Sequence, residues 1–205
     1  MLRNIFGPSR AEIWSQIAED IGGDFIDGGF WKRHQLHYDH EQWTILLDTF
    51  MVSTGKTTIP FTRMRAPFLN KDQFTFKITQ EGFMGSVSKF FGAQDIEIGD
   101  DFFDNQFIIQ SNDRFKIKRL LNDQPLKTLI QNQPNIFLEL REDQGNFRNR
   151  FPEGVNELYF QCRGIIKDKQ VLKDLFDIFS IILSRLVQID SAYEDDPNIV
   201  IDGES

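Results

Sequence analysis

Arg63 and Arg65 stand two positions apart in a segment that alternates apolar and polar residues, and they are the first candidates for chemistry in this sequence. Strand alternation puts both on one face, and a planar guanidinium fork matches the oxygens of a carboxylate or phosphate at two points. Asp48, in the preceding segment, adds a carboxylate. With the hairpin tip at Thr54-Gly55, Asp48 falls opposite Phe61, Leu46 opposite Arg63 and Thr44 opposite Arg65, so that Asp48 and Arg63 are diagonal neighbours. One face then carries Ile45, Leu47, Thr49, Met51, Met64 and Ala66 toward a core; the other carries Asp48, Arg63 and Arg65 among Leu46, Phe50 and Phe61. Such a face could hold an anion, or it could close into a cross-strand ion pair. The ion pair is the preferred expectation because paired arginines are common on sheets.

Other constellations point to chemistry less well. Gly55-Lys56-Thr57 ends like a phosphate-binding loop, but Phe50 stands where the second glycine belongs and Thr58-Ile59-Pro60-Phe61 continues as a strand, where that loop needs a helix. A hairpin turn is expected there. His34, His37 and His40 cluster within seven residues, yet on a strand His34 and His40 lie about 20 Å apart, too far for one ion to span. A turn at Asp39 to Glu41 could fold His40 back toward His37 to give two ligands and a carboxylate, but a solvated hairpin end is the preferred expectation. Asp95, Glu97, Asp100, Asp101 and Asp104 crowd around Gly99 without the ligand order of a calcium loop. Cys162 is the sole cysteine and has no histidine near it in sequence, so it reads as a buried, unreactive thiol. No catalytic residue, metal or cofactor is assigned.

The elements that must position these residues are legible from periodicity. Ser9 caps a helix whose apolar positions are Ala11, Ile13, Trp14, Ile17, Ala18 and Ile21, with Gly22-Gly23 as the stop. From Phe30 to Ile78, short β-branched and aromatic runs broken by turn clusters predict an antiparallel meander. Further strands are expected at 95–98, 106–110, 135–141 and 157–164. Ser111 or Asn112 should cap a helix with Phe115, Ile117, Leu120 and Leu121 buried, and Pro125 should open the next one at its first position. Asp168 precedes a helix with a wide apolar stripe from Val171 to Val187, expected deep in the core or at a subunit contact. Phe83, Phe90 and Phe91, with Met84 and Val87, share a side if 82–92 is helical, and they are the candidate partner-contact residues. Arg114, Lys116, Lys118 and Arg119 are expected on the solvated side of their helix.

Three stretches, Trp43 to Phe50 (WTILLDTF) with Thr62 to Pro67 (TRMRAP), Gly92 to Asp100 (GAQDIEIGD) and Ile165 to Asp168 (IIKD), resemble a family of bacterial proteins of unknown function. The resemblance implies a bacterial, cytoplasmic setting and assigns no functional residue.

The whole reads as an α+β protein: an antiparallel sheet meander packed with N-terminal and C-terminal helices. One domain is expected over 1–189, followed by an acidic, mobile tail over 190–205. The chain has 205 residues, 31 acidic and 23 basic, for a net charge of -8. Six of the acids lie between Asp190 and Ser205, where there is no lysine or arginine, so the preceding residues hold 25 acids against 23 bases. That balance argues against nucleic-acid binding, which draws its affinity from clustered cations. No apolar run is long enough to cross a membrane, no secretory leader is visible at the amino terminus, and one free thiol suits a reducing compartment. The expected role is a cytoplasmic binding or regulatory module acting through protein contacts, with a protein partner or a second copy. The alternative is an enzyme acting on an anionic small molecule held by Arg63 and Arg65, with Asp48 or a residue of the acidic loop as general base.

Overall fold

The structure is a computed structural model that describes residues 7–29, 33–80, 94–142, 151–199 and 201. Helix α1 (Arg10–Ile21) opens as its sequence dictates. The Ser9 hydroxyl accepts from the Glu12 N–H at 3.2 Å and the Glu12 carboxylate accepts from the Ser9 N–H at 2.8 Å, a reciprocal cap. Gly22 ends the helix in the left-handed region at φ 76°. The chain then enters β1 (Asp24–Ile26), β2 (Gln35–His40), β3 (Trp43–Ser53), β4 (Thr58–Leu69) and β5 (Phe76–Gln80). There follow β6 (Gln94–Asp95), α2 (Asp101–Asp104), β7 (Phe107–Ser111), α3 (Arg114–Leu121), α4 (Gln124–Gln131), β8 (Phe137–Glu142), β9 (Val155–Arg163) and α5 (Lys169–Gln188).

The described strands form one sheet in the order β1-β2-β3-β4-β9-β8-β5-β7-β6, with every ladder antiparallel. The expected α+β architecture holds, and the meander runs from β1 to β4. The β8–β9 hairpin then stands between β4 and β5, a neighbour relation that local patterning does not encode.

One sheet face, with Ile45, Leu47, Met64, Ala66, Phe160, Leu138 and Ile78, packs against the helices. Helix α5 supplies the centre of this core through Leu172, Leu175, Phe176, Phe179, Ile182, Leu183 and Leu186. Asp168 caps it, accepting from Gln170 and Val171 N–H at 2.8 and 3.0 Å. Past α5 the chain returns to the sheet. Ala192 bridges Asn70, the Tyr193 N–H donates to the Leu69 carbonyl at 3.0 Å, and Asp190 pairs with Lys71.

Several expectations are corrected. The β3–β4 register places Asp48 opposite Arg63, Leu46 opposite Arg65 and Phe50 opposite Phe61. The turn residues are Gly55-Lys56, clamped by the Thr54 N–H donating to the Thr57 carbonyl at 2.9 Å, one position later than expected. This offset shifts each partner by two residues and leaves every side chain on its expected face. Met51 is nevertheless 55% exposed, because the hairpin runs past the helices. Helix α3 is capped by Asp113, and Pro125 is the second residue of α4 rather than the first. Phe115 is 81% exposed. It sits about 200° around the helix from Ile117, on the side opposite the buried Ile117, Leu120 and Leu121. The short α2, capped by Asp100, was not expected at all.

Candidate functional site

Asp48 is fully buried and lies at the centre of the candidate constellation. Arg63 Nε donates to its Oδ1 at 2.8 Å and Nη2 to its Oδ2 at 2.7 Å, while Arg65 Nη2 reaches Oδ2 at 3.1 Å. The sequence brought these three residues together correctly, with the pair directly opposed instead of diagonal. Arg63 and Arg65 are only 7% and 8% exposed. The Arg63 guanidinium also lies over the Phe50 ring at 5.2 Å, and Phe50 stacks on Phe61 at 5.3 Å.

The three residues belong to a longer array on the sheet face turned away from the helices. Arg65 faces Tyr159, Tyr159 faces Glu139 and Glu139 faces Lys77 across successive ladders. Arg141 bonds Glu157 at 2.9 Å and Glu139 at 3.0 Å and lies 3.5 Å from the centre of the Tyr159 ring. Burial pushes the Glu157 carboxyl up, opposed by the charges of Arg141, Arg65 and Arg63. Burial likewise raises the Tyr159 phenol to about 12. Sequence reasoning missed Lys77, Glu139, Arg141, Glu157 and Tyr159. The available signal was polar alternation at 139/141 and 157/159 inside strands, but it needed the β8–β9 pairing to become a cluster.

The histidines are kept apart. The His34 ring lies 2.9 Å from Asp27 and accepts from the Gly28 N–H, His37 contacts Gln35 at 3.2 Å, and His40 contacts the Ser184 hydroxyl on α5 at 3.0 Å. Among the described residues no three His, Cys, Asp or Glu side chains form a metal-sized group. The His40–Ser184 contact has the composition of a base and nucleophile. The Ser184 hydroxyl bonds both the Ser180 carbonyl and His40 Nε2 at 3.0 Å, and the direction of the bond to His40 is set by the imidazole tautomer. The carboxylate in the same cleft, Asp123, pairs with Arg185 at 3.0 Å.

Cys162 is buried, and desolvation pushes its thiol up to about 11. The acidic loop works as a cap: the Asp104 carboxylate accepts from the Ile98, Gly99 and Asp100 N–H groups at 2.9–3.1 Å. Phe83, Phe90 and Phe91 lie outside the described residues.

One open groove of about 450 Å³ separates the 98–100 loop from α3 and α4. Ile98 contributes apolar surface above the buried Leu121, Phe115 stands at its side, and Lys118, Arg119 and Lys127 bring three cations to it. Asp100 pairs with Lys127 across it.

The fold therefore defines an α+β protein with a single antiparallel sheet, one face under helices and the other bearing paired charges. No family model and no curated protein matches the chain. Among solved structures, the mycobacterial trehalose monomycolate transport factor A, TtfA, is similar, with a TM-score of 0.52 and 10% identity, over 90% of this chain and 97% of that one. At that identity the likeness concerns the fold alone. No described helix is long and apolar enough to cross a membrane.

Proposed function

We propose that this chain is a non-catalytic binding or accessory module that acts through protein contacts in a reducing, cytoplasmic setting. The carrying observation is the contrast between its charged and aromatic groups. Asp48, Arg63 and Arg65 are buried against one another, while Phe115 and Phe102 are 81% and 65% exposed on short helices. Aromatic residues are enriched at the centres of protein interfaces. The likeness to a transport factor is in keeping with an accessory role, and the resemblance to a bacterial family of unknown function belongs to the same reading.

The alternative, an enzyme gripping an anionic small molecule with Arg63 and Arg65, has less support. The Asp48 carboxylate already fills the Arg63 fork, so an incoming anion would have to displace it. Phe83, Phe90 and Phe91 remain proposed contact residues on their sequence pattern.

The test is site-specific photo-crosslinking with p-benzoylphenylalanine replacing Phe115, Phe102 or Met51 in living cells. A discrete protein adduct from at least one position is expected. Absence of a protein adduct from all three, together with turnover or strong thermal stabilisation by phosphates, nucleotides or organic acids, would replace this reading with the enzymatic one.

A further inference from the structure

We propose that the groove between the 98–100 loop, α3 and α4 binds an acidic segment of a partner protein, seating one apolar side chain against Phe115 and Ile98 while carboxylates meet Lys118 and Arg119. The proposal rests on the protein-contact reading above and names the chemistry of the ligand.

Charge carries the argument. The protein as a whole is at -8, yet this groove is lined by Lys118, Arg119 and Lys127 against a single carboxylate, Asp100. Asp100 closes on Lys127, which leaves Lys118 and Arg119 to set the sign. Neither forms an ion pair with the described residues, and the Arg119 guanidinium touches only the Gln188 carbonyl, at 3.5 Å. The neighbouring acid, Asp104, does not line the groove; both its oxygens accept from backbone N–H groups of the 98–100 loop. The negative end of α3 is also covered: Arg185 donates to the Leu120 and Arg119 carbonyls. A positive, partly apolar depression on a nearly neutral body selects for a ligand of opposite charge and disfavours basic ones.

The shape favours a peptide. The groove is bounded by three separate elements, and Phe115, which contributes nothing to the core, projects beside it. An extended acidic segment with one apolar residue matches both features, since the apolar residue gains burial on Phe115 and Ile98 while the flanking carboxylates keep to the rim.

The experiment is an NMR titration of the full, ¹⁵N-labelled chain at low salt with the capped peptide Asp-Glu-Phe-Asp-Glu. The comparison probes are Asp-Glu-Ala-Asp-Glu, Lys-Lys-Phe-Lys-Lys and inorganic phosphate. Shifts concentrated at the Gly99, Phe115, Lys118, Arg119 and Lys127 amides are expected, falling away with added salt. The Lys118→Glu/Arg119→Glu variant should weaken binding by roughly tenfold or more, and the milder Lys118→Gln/Arg119→Gln serves if the reversal disturbs folding. Phe115→Ala should erase the preference for the phenylalanine peptide.

The proposal is overturned by shifts elsewhere, by shifts that survive both charge variants, or by none at the groove up to about 5 mM, where a millimolar Kd would register. Equal effects from phosphate would make the groove a simple anion site, and changes at these amides on deleting residues 194–205 would make the chain's own acidic segment the occupant. Either would also remove the partner. If the photo-crosslinked protein adduct persists while the peptide fails, the groove assignment falls alone.

Discussion

Asp48 and Arg63 face each other directly across the β3–β4 ladder and meet in a two-point bond, 2.8 Å from Nε to Oδ1 and 2.7 Å from Nη2 to Oδ2. The pair stands at the root of a hairpin whose far end, with Met51 and Val52 exposed, reaches past the core. Leu47 is the last β3 residue in the β2 ladder and Thr62 the first of β4 in the β9 ladder, so the bond sits where the sheet narrows to two strands. A buried carboxylate that must find its guanidinium partners penalises every register but one.

Removing that carboxylate should be costly. Asp48→Ala leaves two nearly buried guanidinium groups without their shared anion, and a loss of about 3–5 kcal/mol is expected for breaking a buried pair from one side. Urea unfolding followed by far-UV circular dichroism measures it. The double change Asp48→Leu/Arg63→Met should recover part of the loss, and a double variant no more stable than Asp48→Ala would contradict the pairing.

Gly22 and Gly23 should respond to alanine for different reasons. Gly22 has φ 76° and open space around it, so Gly22→Ala costs about 1 kcal/mol through backbone strain alone. At Gly23 a Cβ would meet the His37 carbonyl oxygen at 2.6 Å, a backbone atom that cannot swing aside. Gly23→Ala should therefore be the more damaging, at about 1–3 kcal/mol. Equal midpoints in thermal denaturation would refute the close approach of α1's exit to β2.

Alkaline pH should unfold the protein partly through Cys162. Burial raises its thiol from the ordinary 9.0 to about 11 in the folded state. A raised folded value means that stability is intact below pH 9 and declines between about pH 9 and 11, as the unfolded thiol ionises and the folded one does not, with a slope of up to about 1.4 kcal/mol per pH unit. Cys162→Ala should flatten that part of the curve, although it lowers stability at neutral pH. In the native protein, thiol reagents at pH 8 should react far more slowly than in urea.

His37 works in the opposite direction of pH. Burial holds its imidazole below the ordinary 6.5, against the pull of Asp39, Asp24 and Asp48. A depressed value in a base makes the unfolded state bind the extra proton, so stability is complete above pH 6.5 and falls as pH drops below it. His37→Gln should reduce this acid sensitivity. An NMR titration giving His37 a value above 6.5 would reverse the sign.

Two phenylalanines on short helices, Phe103 on α2 and Phe115 on α3, make a contrasting pair. Phe103 is fully buried against Phe107, with ring centres 4.6 Å apart, and Phe103→Ala should cost about 3–5 kcal/mol. Phe115→Ser should leave the unfolding midpoint almost unchanged while removing the groove's preference for the phenylalanine peptide. A large stability loss at Phe115 would mean that the residue is core after all.

The sequence alone determined the features that arise within a few residues of each other. Ser9 and Asp168 cap their helices, Gly22 stops α1, the wide stripe of α5 is core, and the β3 and β4 side chains keep to their expected faces, because caps and periodicity depend on local geometry. The turn position, by contrast, depends on which threonines close on each other, and a shift of one residue there moved Asp48 from a diagonal neighbour of Arg63 to its direct partner. Phe115 was misplaced because hydrophobic spacing names a stripe without saying how far around the helix the core extends. Only tertiary structure decided that Thr62 pairs with Cys162 and that the β8–β9 hairpin enters between β4 and β5, bringing Glu139, Arg141, Glu157 and Tyr159 beside Arg65. Contacts between strands a hundred residues apart follow from the global competition for burial and pairing, to which no short window of sequence has access.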